Sequence, residues 1–331
     1  MQRPVIVRYG VNLPLPGVPL SDHAPVLREL PGLGYTDLWT GEAAGHDGFT
    51  PLALAAAWAP GMRLGTAVVP AFTRGPALLA MTAATLAEAA RGDVVVGIGS
   101  SGPPFVDRIN GISSAEPYRR VRDTARFLRA AFDGRTVRGR FDSFTIDGFR
   151  LPRPPAPRPK VMIGALRPGM LRLAARESDG AITNFLAVQD VPVVADALGP
   201  ERPDRELVAR LYVCPTRDRT YARRLGRRML VGILNARTYA AFHAWLGRAD
   251  VLDASWRAWA EGDPERAAAA VPDELVDDLL VHGDPEECRA HIARFVAAGI
   301  DTPFLHLLPA PETGTGPQGV LTALRALAPA R

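Results

Sequence analysis

Between positions 62 and 102 the chain reads MRLGTAVVPAFTRGPALLAMTAATLAEAARGDVVVGIGSSG, and this stretch restricts the fold more than any other. Residues 64–69 form a short apolar strand pattern, 76–90 an Ala- and Leu-rich helix, and 93–98 a second strand that ends in Gly97-Ile98-Gly99-Ser100-Ser101-Gly102. Strands that are apolar on both faces belong to parallel sheets covered on both sides. A strand, a helix and a second such strand make a βαβ unit. Small residues end both strands, where a larger side chain would obstruct a ligand.

The same alternation continues through the chain. Strands are expected at 5–13, 35–40, 160–165, 179–185, 205–214 and 301–308, which makes eight with the two above. Helices are expected at 22–30, with Ser21 as a cap and Gly32 and Gly34 as stops, and from Thr50 as N-cap with Pro51 in the first turn. Further helices are expected at 116–132, 168–177, 188–198, 284–298 (Asp284 as N-cap, Pro285 at the first helical position) and 318–327. Two stretches interrupt the rhythm. Residues 137–151 read as a β-hairpin inside an excursion of about 135–159, and 219–271 read as a helical insertion broken near Gly247 and Asp263-Pro264. The expectation is a single α/β domain over residues 1–331: a (β/α)8 TIM barrel with insertions after strands 4 and 7.

Composition narrows the class. Of the 331 residues 47% are hydrophobic and 22% charged, enough apolar content for the core of a globular enzyme. The charge of +4 does not point to nucleic acid: Lys160 is the only lysine among 39 basic residues, and the arginines are scattered rather than clustered with aromatics. Cys214 and Cys288 are far apart and lack metal-ligand spacing, so buried free thiols in a reducing cytoplasm are expected, with no metal. The first residues lack the apolar core of a signal peptide, and no run approaches a membrane span. A cytoplasmic protein without a membrane partner is expected.

Gly97 to Gly102 also fits G-x-G-x-x-G. In a dinucleotide fold that turn opens directly into a helix of the first βαβ unit, with an acid ending the next strand. Here it follows the fourth strand, and Pro103, Pro104 and Asn110-Gly111 intervene before the next helix. Glycines at the C-terminal mouth of a barrel fit this placement better.

The segments GYTDLWTGEAAGHDGFTPLALAAA, RLGTAVVPAFTRGPALLA, RGDVVVGIGSSG, VMIGALRPGMLRLAARESDGAITNF and VHGDPEECRAHIARFVAAGIDTP, in that order, resemble the luciferase-like monooxygenase superfamily. Within it the chain is similar to the branch that uses the deazaflavin coenzyme F420. The resemblance implies a bulge with a non-prolyl cis peptide in Gly65-Thr66-Ala67-Val68, at Ala67-Val68, backing the central ring of the cofactor. It implies that Gly99, Ser100 and Ser101 approach the ring and the coenzyme's side chain. Gly164, Ala165, Leu166, Arg167 and Pro168 correspond to a phosphate site, where helix N-terminal N–H groups attract anions and Arg167 adds charge. Glu42 matches an acid beside the pyrimidine edge. The histidine that many deazaflavin enzymes place next to it is Ala43 here, and His46 lies three residues on, so proton transfer is open to Glu42, His46 or water. The Glu-His-His of flavin monooxygenases is absent from this place.

Other residues stand out without the resemblance. Asn12 and Asn184 end strands and would face a barrel mouth. Trp39 and Phe185 either line a substrate pocket or fill core. Arg74 is expected to make a structural contact near the cofactor. Trp245, Trp256 and Trp259 pack the insertion or meet a second subunit. The resemblance implies an F420-dependent oxidoreductase that moves hydride between the deazaflavin C5 and a small organic substrate, expected as a homodimer. Two alternatives are an FMN-dependent monooxygenase fed by a separate reductase and a non-catalytic flavin- or deazaflavin-binding protein.

Overall fold

The apolar runs are buried on both faces, and that is what closes them on one another. The computed structural model describes residues 7–199 and 205–329. Its barrel strands begin with β1 (Gly10–Leu13), β2 (Asp37–Thr40) and β3 (Arg63–Thr66), which β4 (Val69–Pro70) continues. β5 (Val94–Gly99) follows. The antiparallel hairpin β6 (Val137–Arg140) and β7 (Thr145–Phe149) stands apart from the barrel. β8 (Lys160–Gly164), β9 (Gly180–Asn184) and β10 (Glu206–Pro215) return to it, a short β11 (Leu280–Gly283) intervenes, and β12 (Thr302–Leu307) ends the series. Every barrel pairing is parallel, β12 pairs with β1, and β9 pairs with β10 to complete the ring. The structure is the eight-stranded barrel expected from the alternation.

Helices α1 (Ala24–Glu29), α2 (Thr50–Trp58), α3 (Pro76–Ala89), α4 (Pro117–Phe132), α5 (Pro168–Glu177) and α6 (Asp190–Leu198) connect the strands. The insertion after the seventh barrel strand comprises α7 (Arg219–Leu234), α8 (Arg237–Trp245), α9 (Ala249–Ala260), α10 (Pro264–Ala269) and α11 (Asp273–Leu279). α12 (Pro285–Ala298) and α13 (Gly316–Ala326) complete the chain. The insertion has its own apolar centre, in which Leu230, Leu234, Leu252, Val271 and Val276 pack with Phe185 and Ala187 from the barrel. Trp256 donates from Nε1 to the Leu234 carbonyl at 3.0 Å, whereas Trp259 remains 40% exposed.

Several local expectations need correction. The first strand is ordered as β only from Gly10, and residues 5 and 6 lie outside the described ones. The cis Ala67-Val68 peptide that the resemblance implied is present, and the third strand breaks in two there. β11 went unforeseen because its four residues follow α11 with no intervening turn. It pairs with Tyr212–Pro215 of β10, beyond the Glu206–Arg210 segment that pairs with β9, so it extends one stave rather than adding another. Thr50 is the first helical residue of α2 rather than its cap. Asp47 Oδ1 accepts from the N–H groups of Phe49 at 2.8 Å and Thr50 at 3.0 Å, because a short acid just upstream reaches the same orphan donors. Ser21 does not cap α1 either; its hydroxyl donates to Asp22. The cap at Asp284 does form, with Glu287 completing a reciprocal pair.

The barrel interior is layered. At the N-terminal end Arg63 bridges Asp37 and Glu206: Nε donates to Asp37 Oδ2 at 2.7 Å, Nη1 to Glu206 Oε2 at 2.8 Å and Nη2 to Glu206 Oε1 at 2.6 Å. Thr302 and Lys160 also reach Glu206. Above this plug Trp39 stacks on Phe304 with 5.5 Å between ring centres, among Val95, Met162, Ile182 and Val208. Gly10 and Gly65 make room for the indole: a Cβ at Gly65 would lie 2.4 Å from Trp39 Cε3, and one at Gly10 2.6 Å from Cδ1. Among the described residues no helix is long and apolar enough to cross a membrane. No group of three or more His, Cys, Asp or Glu among them is placed to hold a metal ion.

Candidate active site at the barrel mouth

The C-terminal ends of the strands converge on a floor made by Ala67, Val68, Gly99 and Gly164. The chain doubles back at the cis Ala67-Val68 peptide, where Ala67 N–H donates to the Thr40 carbonyl at 2.5 Å and Glu42 N–H to the Val68 carbonyl at 3.0 Å. A Cβ at Gly99 would meet Val68 Cγ2 at 2.6 Å and one at Gly164 would meet Val68 Cγ1 at 3.1 Å, so the strand ends close on the valine without side chains of their own. Thr66 is fully buried. Its hydroxyl exchanges hydrogen bonds with Gly97 O and N at 2.8 and 2.9 Å, stitching β3 to β5 instead of facing the mouth.

Beside the floor, Ser100 is half-buried and Ser101 exposed with φ of 56°; neither hydroxyl has a hydrogen-bond partner among the described residues. Across from them Ala165 N–H ties to the Ile182 carbonyl at 2.9 Å, and Leu166 packs on the core. Arg167 is the N-cap residue of α5 and Pro168 its first residue, with no side chain capping the helix. Arg167 is exposed and has no ion pair among the described residues. An uncapped helix N-terminus with a free guanidinium beside it favours an anion. The glycine-walled floor and the anion-favouring rim together fit a flat ring with a phosphorylated tail.

Both oxygens of Glu42 are occupied. Oε2 accepts from Arg74 Nη2 at 2.7 Å and Gly48 N–H at 2.9 Å, and Oε1 accepts from Arg74 Nε at 3.3 Å and Thr73 Oγ1 at 3.5 Å. Arg74 also lies over the Phe49 ring, 5.0 Å from its centre. Glu42 and Arg74 therefore anchor the loop between β2 and α2. His46 is exposed on that loop, with no hydrogen bond among the described residues.

The pocket candidates separate. Trp39 has no exposed surface and lies one layer below the mouth, with the Arg63 guanidinium 5.3 Å from its ring on the side away from the mouth, so it fills the barrel instead of lining an open pocket. Asn12 reaches the mouth with Oδ1 buried and unpartnered, its amide donating only to the Leu13 carbonyl at 3.3 Å. Asn184 Nδ2 donates to Tyr239 Oη of the insertion at 3.4 Å. Phe185, with φ of 52°, stacks on Tyr212 at 4.6 Å and meets Tyr239 edge-on at 5.3 Å. This aromatic wall joins barrel and insertion, and burial pushes the Tyr239 hydroxyl up to about 12.

Two residues at the mouth were not singled out from sequence. Arg210 of β10 donates from Nη2 to the Ala67 carbonyl at 2.6 Å, and its Nε is buried without a partner. His306 of β12 lies against Tyr212 with ring centres 4.8 Å apart; burial, with Arg210 adding to it, lowers its pKa to about 4. Period-two spacing carried the signal: Val208, Arg210 and Tyr212, like Phe304 and His306, share the inward face of their strands.

A parallel (β/α)8 barrel with a glycine-walled floor and an anion-favouring rim at its C-terminal mouth is a small-molecule or cofactor site by construction. The chain belongs to the luciferase-like monooxygenase family, whose model matches residues 7–302. It is 28% identical over 329 residues to a Mycobacterium tuberculosis protein named, provisionally, as a coenzyme F420-dependent oxidoreductase, covering 89% of this chain and 93% of that one. It is also 28% identical over 250 residues to the 5,10-methylenetetrahydromethanopterin reductase of Archaeoglobus fulgidus, covering 72% and 75%. The structure of the coenzyme F420-dependent tetrahydromethanopterin reductase from Methanopyrus kandleri superposes with a TM-score of 0.78 at 16% identity, over 96% of this chain and 97% of that one.

Proposed function

We propose that this chain is an F420-dependent oxidoreductase acting on a small organic substrate. The carrying observation is the floor of Ala67, Val68, Gly99 and Gly164, which leads to the uncapped start of α5 and the free Arg167. The name of the Mycobacterium relative supports the same cofactor. When bound, the deazaflavin supplies hydride transfer at its C5 carbon. The protein's part is to bind, orient and exclude water.

Ala67 and Val68 would back the ring, Ser100 and Ser101 would offer hydroxyls to its side chain, and Arg167 with the first turn of α5 would take the phosphate. Glu42, held by Arg74, would fix the loop at the ring's edge. Substrate would enter between Asn12, Asn184 and the aromatic wall of Phe185, Tyr212 and Tyr239, which burial and packing make rigid. We also propose a cytoplasmic homodimer, which sedimentation at micromolar concentration would check.

Equilibrium titration of the apo-protein with F420 and separately with FMN, followed by cofactor fluorescence, tests this reading. Low-micromolar F420 binding with FMN weaker by tenfold or more, about 1.4 kcal/mol, is expected. Arg167→Ala should weaken F420 binding. The reverse preference would favour the oxygen-using alternative, and no binding of either would remove the site.

A further inference from the structure

Within the mouth, Arg210 is a partly buried cation without a counter-charge among the described residues. Arg210 projects from β10 with Asn184 of β9 and Phe304 of β12 as its strand neighbours. Beyond its bond to the Ala67 carbonyl, its guanidinium carbon lies 5.3 Å from the Phe304 ring centre, and Nε meets nothing. No carboxylate among the described residues pairs with it; Glu42, the acid of the mouth, is occupied by Arg74. Of the polar groups on the inward faces and strand ends there, Asn12, Asn184, Tyr212 and Tyr239 are neutral, and His306 is held uncharged at neutral pH. Asn12 Oδ1 and His306 Nδ1 are likewise buried and unpartnered.

Arg63, one layer below, provides the comparison within the same barrel. It has two carboxylates and a hydroxyl around it. A partly buried guanidinium left with one neutral carbonyl is costly unless something in the working protein completes it. The bond to Ala67 puts this cation against the same segment that forms the floor.

We propose that Arg210 holds the negative charge that the cofactor ring carries when reduced; this rests on the deazaflavin reading above. In the step concerned the donor loses a C–H bond together with its electron pair, and C5 gains that hydrogen and both electrons. The donor is oxidised and the ring reduced. The oxidised donor sheds a proton to water and the ring takes up no proton, so the ring becomes more negative by one charge. A planar guanidinium suits an anion spread over neighbouring nitrogen and oxygen atoms better than an ammonium does. A fixed cation also accounts for a mouth in which Glu42 is tied to Arg74 and His46 points into solvent.

The test is titration of wild type, Arg210→Gln and Arg210→Lys with oxidised F420 and, anaerobically, with reduced F420. Arg210→Gln should lose tenfold or more in affinity for the reduced form and less than threefold for the oxidised form. Each tenfold of that difference lowers the midpoint potential of the bound two-electron couple by about 30 mV. Arg210→Lys should lose part of the preference, and it carries the test if circular dichroism shows that the glutamine variant does not fold. Equal losses for both forms, or none, would overturn the proposal. So would a variant with unchanged cofactor affinities that has lost a spectral response of the F420-loaded wild type to acetate, since the cation would then serve a substrate carboxylate. A wild type that binds neither form removes the deazaflavin reading together with this inference; a wild type that binds both, with silent variants, removes the inference alone.

Discussion

Glu206→Gln removes one charge from the plug at the N-terminal end of the barrel while keeping the side chain's shape. Glu206 has 14% of its side chain exposed and accepts from Arg63, Thr302 and Lys160. Although burial opposes ionisation, the hydrogen bonds and charge of Arg63 prevail and hold the carboxyl at about 2 instead of the usual 4.5. At 1.36 kcal/mol for each pH unit, that difference corresponds to about 3 kcal/mol. Breaking a buried pair by removing one partner costs a similar ~3–5 kcal/mol. A depressed carboxyl stabilises fully above its unfolded value near 4.5 and loses that contribution as the pH falls through its folded value. About 3 kcal/mol at pH 7 thus falls to roughly 1 kcal/mol at pH 3. An unfolding entropy of ~2.1 cal/mol/K per residue over 331 residues gives ~0.7 kcal/mol/K, so the variant's Tm at pH 7 should drop by ~4 °C. Thermal melts of both proteins at pH 7 and pH 3 measure this. Equal Tm values at pH 7, or a gap that widens on acidification, would refute the electrostatic account of the plug.

Three further outcomes follow from the same geometry. Gly65→Val drives a branched side chain into Trp39, whose ring carbons lie 2.4 Å from the added Cβ, and should destabilise by ~3 kcal/mol or more; adding Trp39→Phe should recover part of the loss, and an unchanged Tm would contradict the layered packing. Cys214 and Cys288 are buried, and burial pushes both thiols up to about 12, so a disulfide-forming reagent at pH 8 should label neither until urea unfolds the chain. Asp47→Ala removes the acceptor for two N–H groups at the start of α2 and should cost ~0.5–2 kcal/mol in thermal melts, whereas Thr50→Ala, at the position expected to be the cap, should cost less.

Residue patterning by itself determined the barrel. Doubly apolar strands can be buried only between layers of helix, and their alternation with amphipathic helices leaves few topologies, so eight strand positions were readable in order. β11 escaped because it follows α11 with no intervening turn to mark its start. The segments of the mouth were also readable, since glycines and a polar residue at a strand end stand out against an apolar run. Roles were not readable. Whether Trp39 lines a pocket or fills core depends on Gly10 and Gly65 on neighbouring strands, and whether Glu42 is free depends on Arg74, 32 residues away in sequence. The same holds for two arginines on inward faces of strands. Arg63 finds Asp37 and Glu206 across the barrel, whereas Arg210 finds a carbonyl and an aromatic ring. Charge compensation is set by which strands face each other across the closed ring, and only the tertiary structure decides that.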